Sequence, residues 1–129
     1  MFTMQGYESV SIPFFDGSGN SPLRIDKEFF ELDLNVPLDH AVAITVPDSS
    51  MSHKLQHGGT CVLNRKQLTG NGLFAMRVGG IMKIRKLQTM RDGAIQLTAE
   101  NPQYADTLVS KEEGKTIEIL GRVIWYSQQ

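Results

Sequence analysis

Short β-branched runs separated by glycine turns constrain this chain more than anything else in it. From Ala41 onward the sequence reads AVAITV, TCVLNR, LFAMRV, IMKIRKL, AIQLTA and TIEILGRVIWY, with Gly58-Gly59, Gly70-Asn71-Gly72, Gly79-Gly80 and Asp92-Gly93 between successive runs. Brief runs rich in Val, Ile and Thr and bounded by Gly or Asp are strand signals, and Gly-Gly or Asp-Gly between two of them is a hairpin signal. Six such runs in fewer than ninety residues predict a mostly β fold of short antiparallel strands. The one short helix expected is in IDKEFFEL, where Asp26 is placed to cap a turn that packs Phe29 and Phe30 inward.

A chain of 129 residues supports one core. Residues 1–24 hold Pro13, Gly17, Gly19 and Pro22, so beyond a short strand over 8–14 this part reads as an arm or linker outside the core, with 25–129 as the folded domain. Net charge is −1, without the clustered Lys and Arg of a nucleic-acid or membrane-surface binder. The longest apolar run, 41–46, is far too short to span a bilayer, and no signal segment opens the chain, which predicts a soluble cytoplasmic protein. The lone cysteine, Cys61, sits in a strand run and reads as a packing residue. No metal site or cofactor motif is visible.

The order of the pieces resembles the LexA-like peptidase family, which includes the C-terminal domains of phage repressors and self-cleaving regulators. The residues that carry the resemblance are Val46, Ser50-Met51, Gly58, Arg77-Val78, Arg85 with Leu87, Asn101-Pro102-Gln103-Tyr104 and Gly121-Arg122-Val123-Ile124-Trp125. No one of these is specific, but their order and spacing hold over nearly the whole chain. The resemblance implies a LexA/signal-peptidase-like β fold in which Ser50 is the nucleophile and a neutral lysine on a neighbouring strand is its base. A serine hydroxyl is a weak nucleophile until a base takes its proton. Burial supplies such a base by disfavouring the charged ammonium, and lowering a lysine to neutrality near pH 7 costs on the order of 4–5 kcal/mol.

Three departures bear on that chemistry. Counting back from Leu87, the lysine position holds Arg85. A guanidinium offers no lone pair while charged, and neutralising one near pH 7 costs roughly 7–9 kcal/mol, comparable with the stability of a whole domain. Arg85 is therefore expected to donate hydrogen bonds to Ser50 or to carbonyls, leaving Ser50 a vestigial nucleophile. The family's Gly-Asp before Ser-Met is Asp48-Ser49 here, and its Ala-Gly or Cys-Gly scissile pair has no counterpart in the matching loop, Gly17-Ser18-Gly19. Two residues remain as substitute bases: Lys83, on the strand face of Arg85 but about 6–7 Å along it, and His53, close if the chain turns after Ser50. Lys86 points to the other face. Lys83 and Arg85 also read as plain solvated strand charges, and Tyr104 and Trp125 as packing residues.

The reading is thus the regulatory and oligomerisation domain of a phage or prophage repressor that has lost self-cleavage. Operator DNA would be read only through an N-terminal domain absent from this chain, and derepression would come from a partner such as an antirepressor protein. The chain is expected to form a homodimer or a higher oligomer. The last strand is apolar on both faces and near the chain end, where an edge is expected, so the dimer contact is placed on Gly121, Arg122, Val123, Ile124 and Trp125. The alternatives are an active Ser50 autopeptidase using Lys83 or His53, a stand-alone accessory subunit of a translesion polymerase with the same fold, and a signal peptidase relative, weakest for want of an anchor.

Overall fold

The computed structural model describes residues 8–15 and 21–127. The mostly β expectation holds. Strands β1 (Ser9–Ile12) and β2 (Leu23–Asp26) pair antiparallel, with Ile12 opposite Leu23. Asp26 then caps α1 (Lys27–Phe29), its carboxylate accepting the Phe29 N–H at 3.0 Å, and a π-helical turn over Phe30–Leu34 follows. Asn35 ends that turn in the left-handed region at φ 50°, where its short polar side chain is better tolerated than most.

Part of the supposed arm belongs to the core. Ile12 is fully buried, and with Ile25, Phe30, Val36, Ala41, Ala43 and Val62 it forms one of three apolar clusters. Two backbone hydrogen bonds tie this segment on, Ala43 N–H to the Pro13 carbonyl at 2.8 Å and Phe15 N–H to the Ala43 carbonyl at 2.9 Å. The reading of residues 1–24 as an arm outside the core therefore fails for the strand β1, because alternate side chains of a strand that closes on a sheet must be buried. Gly17, Ser18 and Gly19, the expected cleavage loop, lie outside the described residues.

The main sheet has seven strands: β3 (Ala41–Thr45), β4 (Thr60–Asn64), β5 (Gly72–Val78), β6 (Ile81–Thr89), β7 (Ile95–Thr98), β8 (Thr107–Val109) and β9 (Ile117–Tyr126), in the order β3-β4-β9-β5-β6-β7-β8. Two of the four glycine signals make tight hairpins. Gly79 and Gly80, at φ 60° and 82°, form a two-residue turn between the paired Val78 and Ile81. That is the turn geometry whose twist suits flanking strands. Asp92-Gly93 joins β6 to β7, where the Ala94 N–H reaches the Asp92 carboxylate at 3.0 Å. Gly70-Asn71-Gly72 joins β4 to β5, which are not neighbours, and Gly58-Gly59 closes a long excursion, residues 46–59, between the neighbours β3 and β4. A second short helix, α2 (Lys111–Gly114), is held by a reciprocal cap in which Ser110 accepts from the Glu113 N–H and Glu113 from the Ser110 N–H.

The last strand is not an edge. β9 lies between β4 and β5 in the sheet, pairing with β5 over residues 117–122 and with β4 over residues 122–126, so the two ladders overlap at Arg122. The expectation of a terminal edge strand is corrected in sheet order, with Gly121 and Val123 buried within the chain and Ile124 and Trp125 half-buried against the cluster under β1, while the β5 side of residues 123–126 carries no strand among the described residues. Gly121 lies so close to β4 that a Cβ there would stand 2.7 Å from the Asn64 carbonyl oxygen. Among the described residues no helix is long and apolar enough to cross a membrane. Because that contact is with backbone, Gly121→Ala is expected to cost about 1–3 kcal/mol and lower the urea midpoint with an unchanged slope; an unshifted midpoint in equilibrium unfolding would mean the two strands separate freely.

Candidate functional site

The excursion between β3 and β4 leaves the sheet at Val46 and rejoins it at Gly59. It is pinched shut at its neck by Val46 N–H to Gly59 carbonyl and Gly58 N–H to Val46 carbonyl, 2.8 and 3.0 Å. Gly58 sits at φ 86°, which few side chains tolerate. Within the loop Asp48 accepts the Ser50 N–H at 2.9 Å, and a helical turn follows in which the Leu55 N–H reaches the Met51 carbonyl at 2.8 Å. Met51 and Leu55 are fully buried in the cluster formed by Ile44, Val46, Cys61, Leu63, Ala75, Ile84 and Leu120. The apolar anchors on this turn fix the serine before them.

Ser50 is consequently 1% exposed, and β6 brings Arg85, 8% exposed, directly to it. The Arg85 Nη1 donates to Ser50 Oγ at 2.6 Å and to the Ile84 carbonyl at 2.9 Å, while the serine hydroxyl directs its own hydrogen to the same Ile84 carbonyl at 3.4 Å. The two residues that the sequence placed at the site do meet. The hydroxyl accepts from a charged donor, and its one hydrogen is shared between the Ile84 carbonyl and the Asp48 carboxylate, neither of them basic enough to make an alkoxide. Neither His53 nor Lys83 is hydrogen-bonded to Ser50: His53 is exposed, with φ 77°, and Lys83 lies on β6 opposite Met76.

Asp48, in the family's glycine position, completes the site. Its Oδ2 is 4.0 Å from the Arg85 Nη1, so one buried cation faces one half-buried carboxylate. Burial alone raises the Asp48 pKa, but the hydrogen bonds from the Ser50 side chain and backbone, with the charges of Arg85 and His57, outweigh it and hold the carboxyl below its ordinary value. A carboxylate so stabilised is a weaker base than an ordinary one and does not stand in for the missing lysine. A turn from the other side closes the pocket. The Asn101 N–H donates to the Ser50 carbonyl at 2.8 Å, its side-chain amide donates to the Ser49 carbonyl at 3.0 Å, and the Tyr104 ring lies under the Arg85 guanidinium at 5.7 Å. Sequence reasoning noted Asp48 as a departure and Asn101 and Tyr104 only as residues carrying the resemblance; it missed that all three converge on Ser50 and Arg85. Cys61, fully buried, has its thiol pushed up to about 12 by burial, as befits packing.

A family model described as Peptidase S24-like matches residues 10–124, a span that contains every residue of this pocket. The chain belongs to that family. The LexA-like resemblance is the correct one, and the mostly antiparallel β architecture is that of the family. A search of curated proteins finds no match to this peptidase-family chain.

The sign of the Asp48 shift fixes a pH dependence. A carboxyl whose folded pKa lies below its unfolded value near 3.8 contributes stability that is present above that value and lost as pH falls through the folded one. Asparagine retains an acceptor for the Ser50 N–H but no charge. Asp48→Asn is therefore expected to be less stable than wild type at about pH 6, with the gap narrowing as pH falls below about 3.8, read from urea midpoints at each pH. A gap that is constant with pH would remove Asp48 as the counter-charge of Arg85.

Proposed function

We propose that this domain is the regulatory and oligomerisation part of a phage-type transcriptional repressor, and that it does not cleave itself. The observation that carries the reading is the 2.6 Å hydrogen bond from the Arg85 guanidinium to Ser50 Oγ in a buried pocket. Where the family's chemistry needs a neutral amine with a free lone pair, this pocket holds a permanent cation with none. Its product is binding energy. Joining two DNA-reading heads through one dimer raises their effective concentration at an operator, so a domain that has lost its chemistry still has this use. The setting is then cytoplasmic, operator DNA is read by a separate DNA-reading domain, and release requires an antirepressor or another partner in place of cleavage.

Intact protein is expected after many hours at about pH 9–10, the range that would free an amine base in an active relative, when its mass is followed over time. A fragment cut between Phe15 and Pro22 that vanishes in Ser50→Ala would refute the inactive reading. Arg85→Lys is the informative companion: it restores a titratable group beside Ser50, but leaves Asp48-Ser49 and the loop without a cognate scissile pair.

Self-association is proposed on narrower ground than a free edge. Ile124 and Trp125 are half-buried and keep apolar surface that a second copy could cover. A two-fold dimer is expected to sediment as such at micromolar concentration, and Trp125→Glu to shift it to monomer without loss of the far-ultraviolet β spectrum. A monomeric wild type would remove dimerisation through this surface.

A further inference from the structure

A serine that attacks a carbonyl needs two things from its pocket: a base for its proton, and donors for the negative charge that develops on the carbonyl oxygen. Arg85 removes the first. The second is a separate requirement, and the donor nearest to the reacting atom is the N–H of the serine itself, which serves in this way in serine peptidases of other folds. In this pocket that N–H is taken, because Asp48 Oδ1 accepts it at 2.9 Å. The contact spans two residues and is held from both sides. Behind it the Ser52 N–H reaches the Ser49 carbonyl at 3.0 Å, and the Leu55 N–H reaches the Met51 carbonyl at 2.8 Å. In front of it Asn101 grips the Ser49 and Ser50 carbonyls at 3.0 and 2.8 Å, so the serine N–H is not free to turn away.

We infer that Asp48 occupies the oxyanion position of this pocket, its Oδ1 standing where the charged oxygen of a tetrahedral adduct on Ser50 would lie. Donors to an oxyanion act at about 2.7–3.1 Å, and a carboxylate oxygen on the same N–H fills that distance with the same charge. The serine is thus blocked twice, by Arg85 on the proton side and by Asp48 on the carbonyl side. The two blocks are joined, since Oδ2 of the same carboxylate lies 4.0 Å from the Arg85 Nη1. The inference rests on the cleavage-inactive reading and adds a second cause to it. A restored base alone leaves the developing charge facing another charge of its own sign. Glycine, the residue type that the resemblance places at position 48, has no acceptor there.

The test is labelling of the full chain by a small methyl fluorophosphonate, followed by intact mass across pH. In that reaction Ser50 Oγ bonds to phosphorus, its proton passes to the base, and fluoride leaves with the P–F electron pair while the phosphoryl oxygen carries the developing charge. Wild type and Asp48→Gly, both without a base, are expected to stay unlabelled. Arg85→Lys is expected to label slowly, and Asp48→Gly with Arg85→Lys about 100-fold faster at the high-pH plateau, the effect of one oxyanion donor. Adding Ser50→Ala to that pair abolishes the label. Asp48→Asn with Arg85→Lys separates occupancy from charge: its amide oxygen still accepts the Ser50 N–H, so the plateau stays at that of Arg85→Lys alone, while loss of the carboxylate moves the half-plateau pH down. Asp48→Ala also lacks the acceptor, and with Arg85→Lys it is expected to match the glycine pair, which answers any loosening of the turn by glycine. A glycine or alanine pair no faster than Arg85→Lys, or an asparagine pair as fast as the glycine pair, would overturn the assignment. Labelling of wild type at Ser50 would instead overturn the inactive reading beneath it, a result distinct from any of the variant comparisons.

Discussion

Everything at the site depends on β9 being driven between β4 and β5. Those two strands are consecutive in sequence but not in the sheet, so the segment that joins them must step across a gap that only the chain's last strand fills. Gly121 makes the insertion possible by letting β9 approach the Asn64 carbonyl more closely than a Cβ allows. With β9 in place, Leu120 and Val123 close the cluster on which Met51 and Leu55 anchor the turn after Ser50. The position of one hydroxyl is thus set by a strand some seventy residues later.

A buried guanidinium is costly unless its charge and its donors are met. Here they are met locally: Ser50 Oγ and the Ile84 carbonyl take hydrogen bonds, Asp48 supplies negative charge, and the Tyr104 ring lies against the planar cation. Two departures that look independent in the sequence, arginine for lysine and aspartate for glycine, are therefore one arrangement in space. A neutral lysine would have no use for the carboxylate, which would favour its charged form and oppose the basicity the reaction needs. Asp48 suits a site that holds a cation rather than one that generates a base.

The open side along the outer part of β9 has a different origin. β5 begins at Gly72, too late to accompany β9 to its end, and the turn after Ser50 brings His53 and Lys54 beside the exposed length. Lys86 faces it by strand alternation, pointing away from the face on which Arg85 is buried. The serine pocket and this open side lie on two faces of one short stretch of β6.

While β2 and β8, too short to form a β-branched run, were not legible, the sequence by itself determined six of the seven strands of the main sheet, the family and the pair Ser50 and Arg85. These are legible because they rest on local facts: β-branched runs between glycines, the two-residue Gly79-Gly80 turn, the chemistry of a guanidinium where an amine is needed. Ser110 with Glu113 is a capping box and marks α2, a helix of four residues too short to show an apolar periodicity of its own. Strand order was not legible, because period-two alternation states which face a residue takes but not which strand lies beside it. That is why β9 reads as an edge and proves central, why Gly70-Asn71-Gly72 reads as a hairpin and proves a crossover, and why Ile12 reads as part of an arm and proves core. Only the tertiary structure decided that Asp48, Asn101 and Tyr104 meet at Arg85, since hydrogen bonds and charge pairing between distant segments depend on positions that no local pattern encodes.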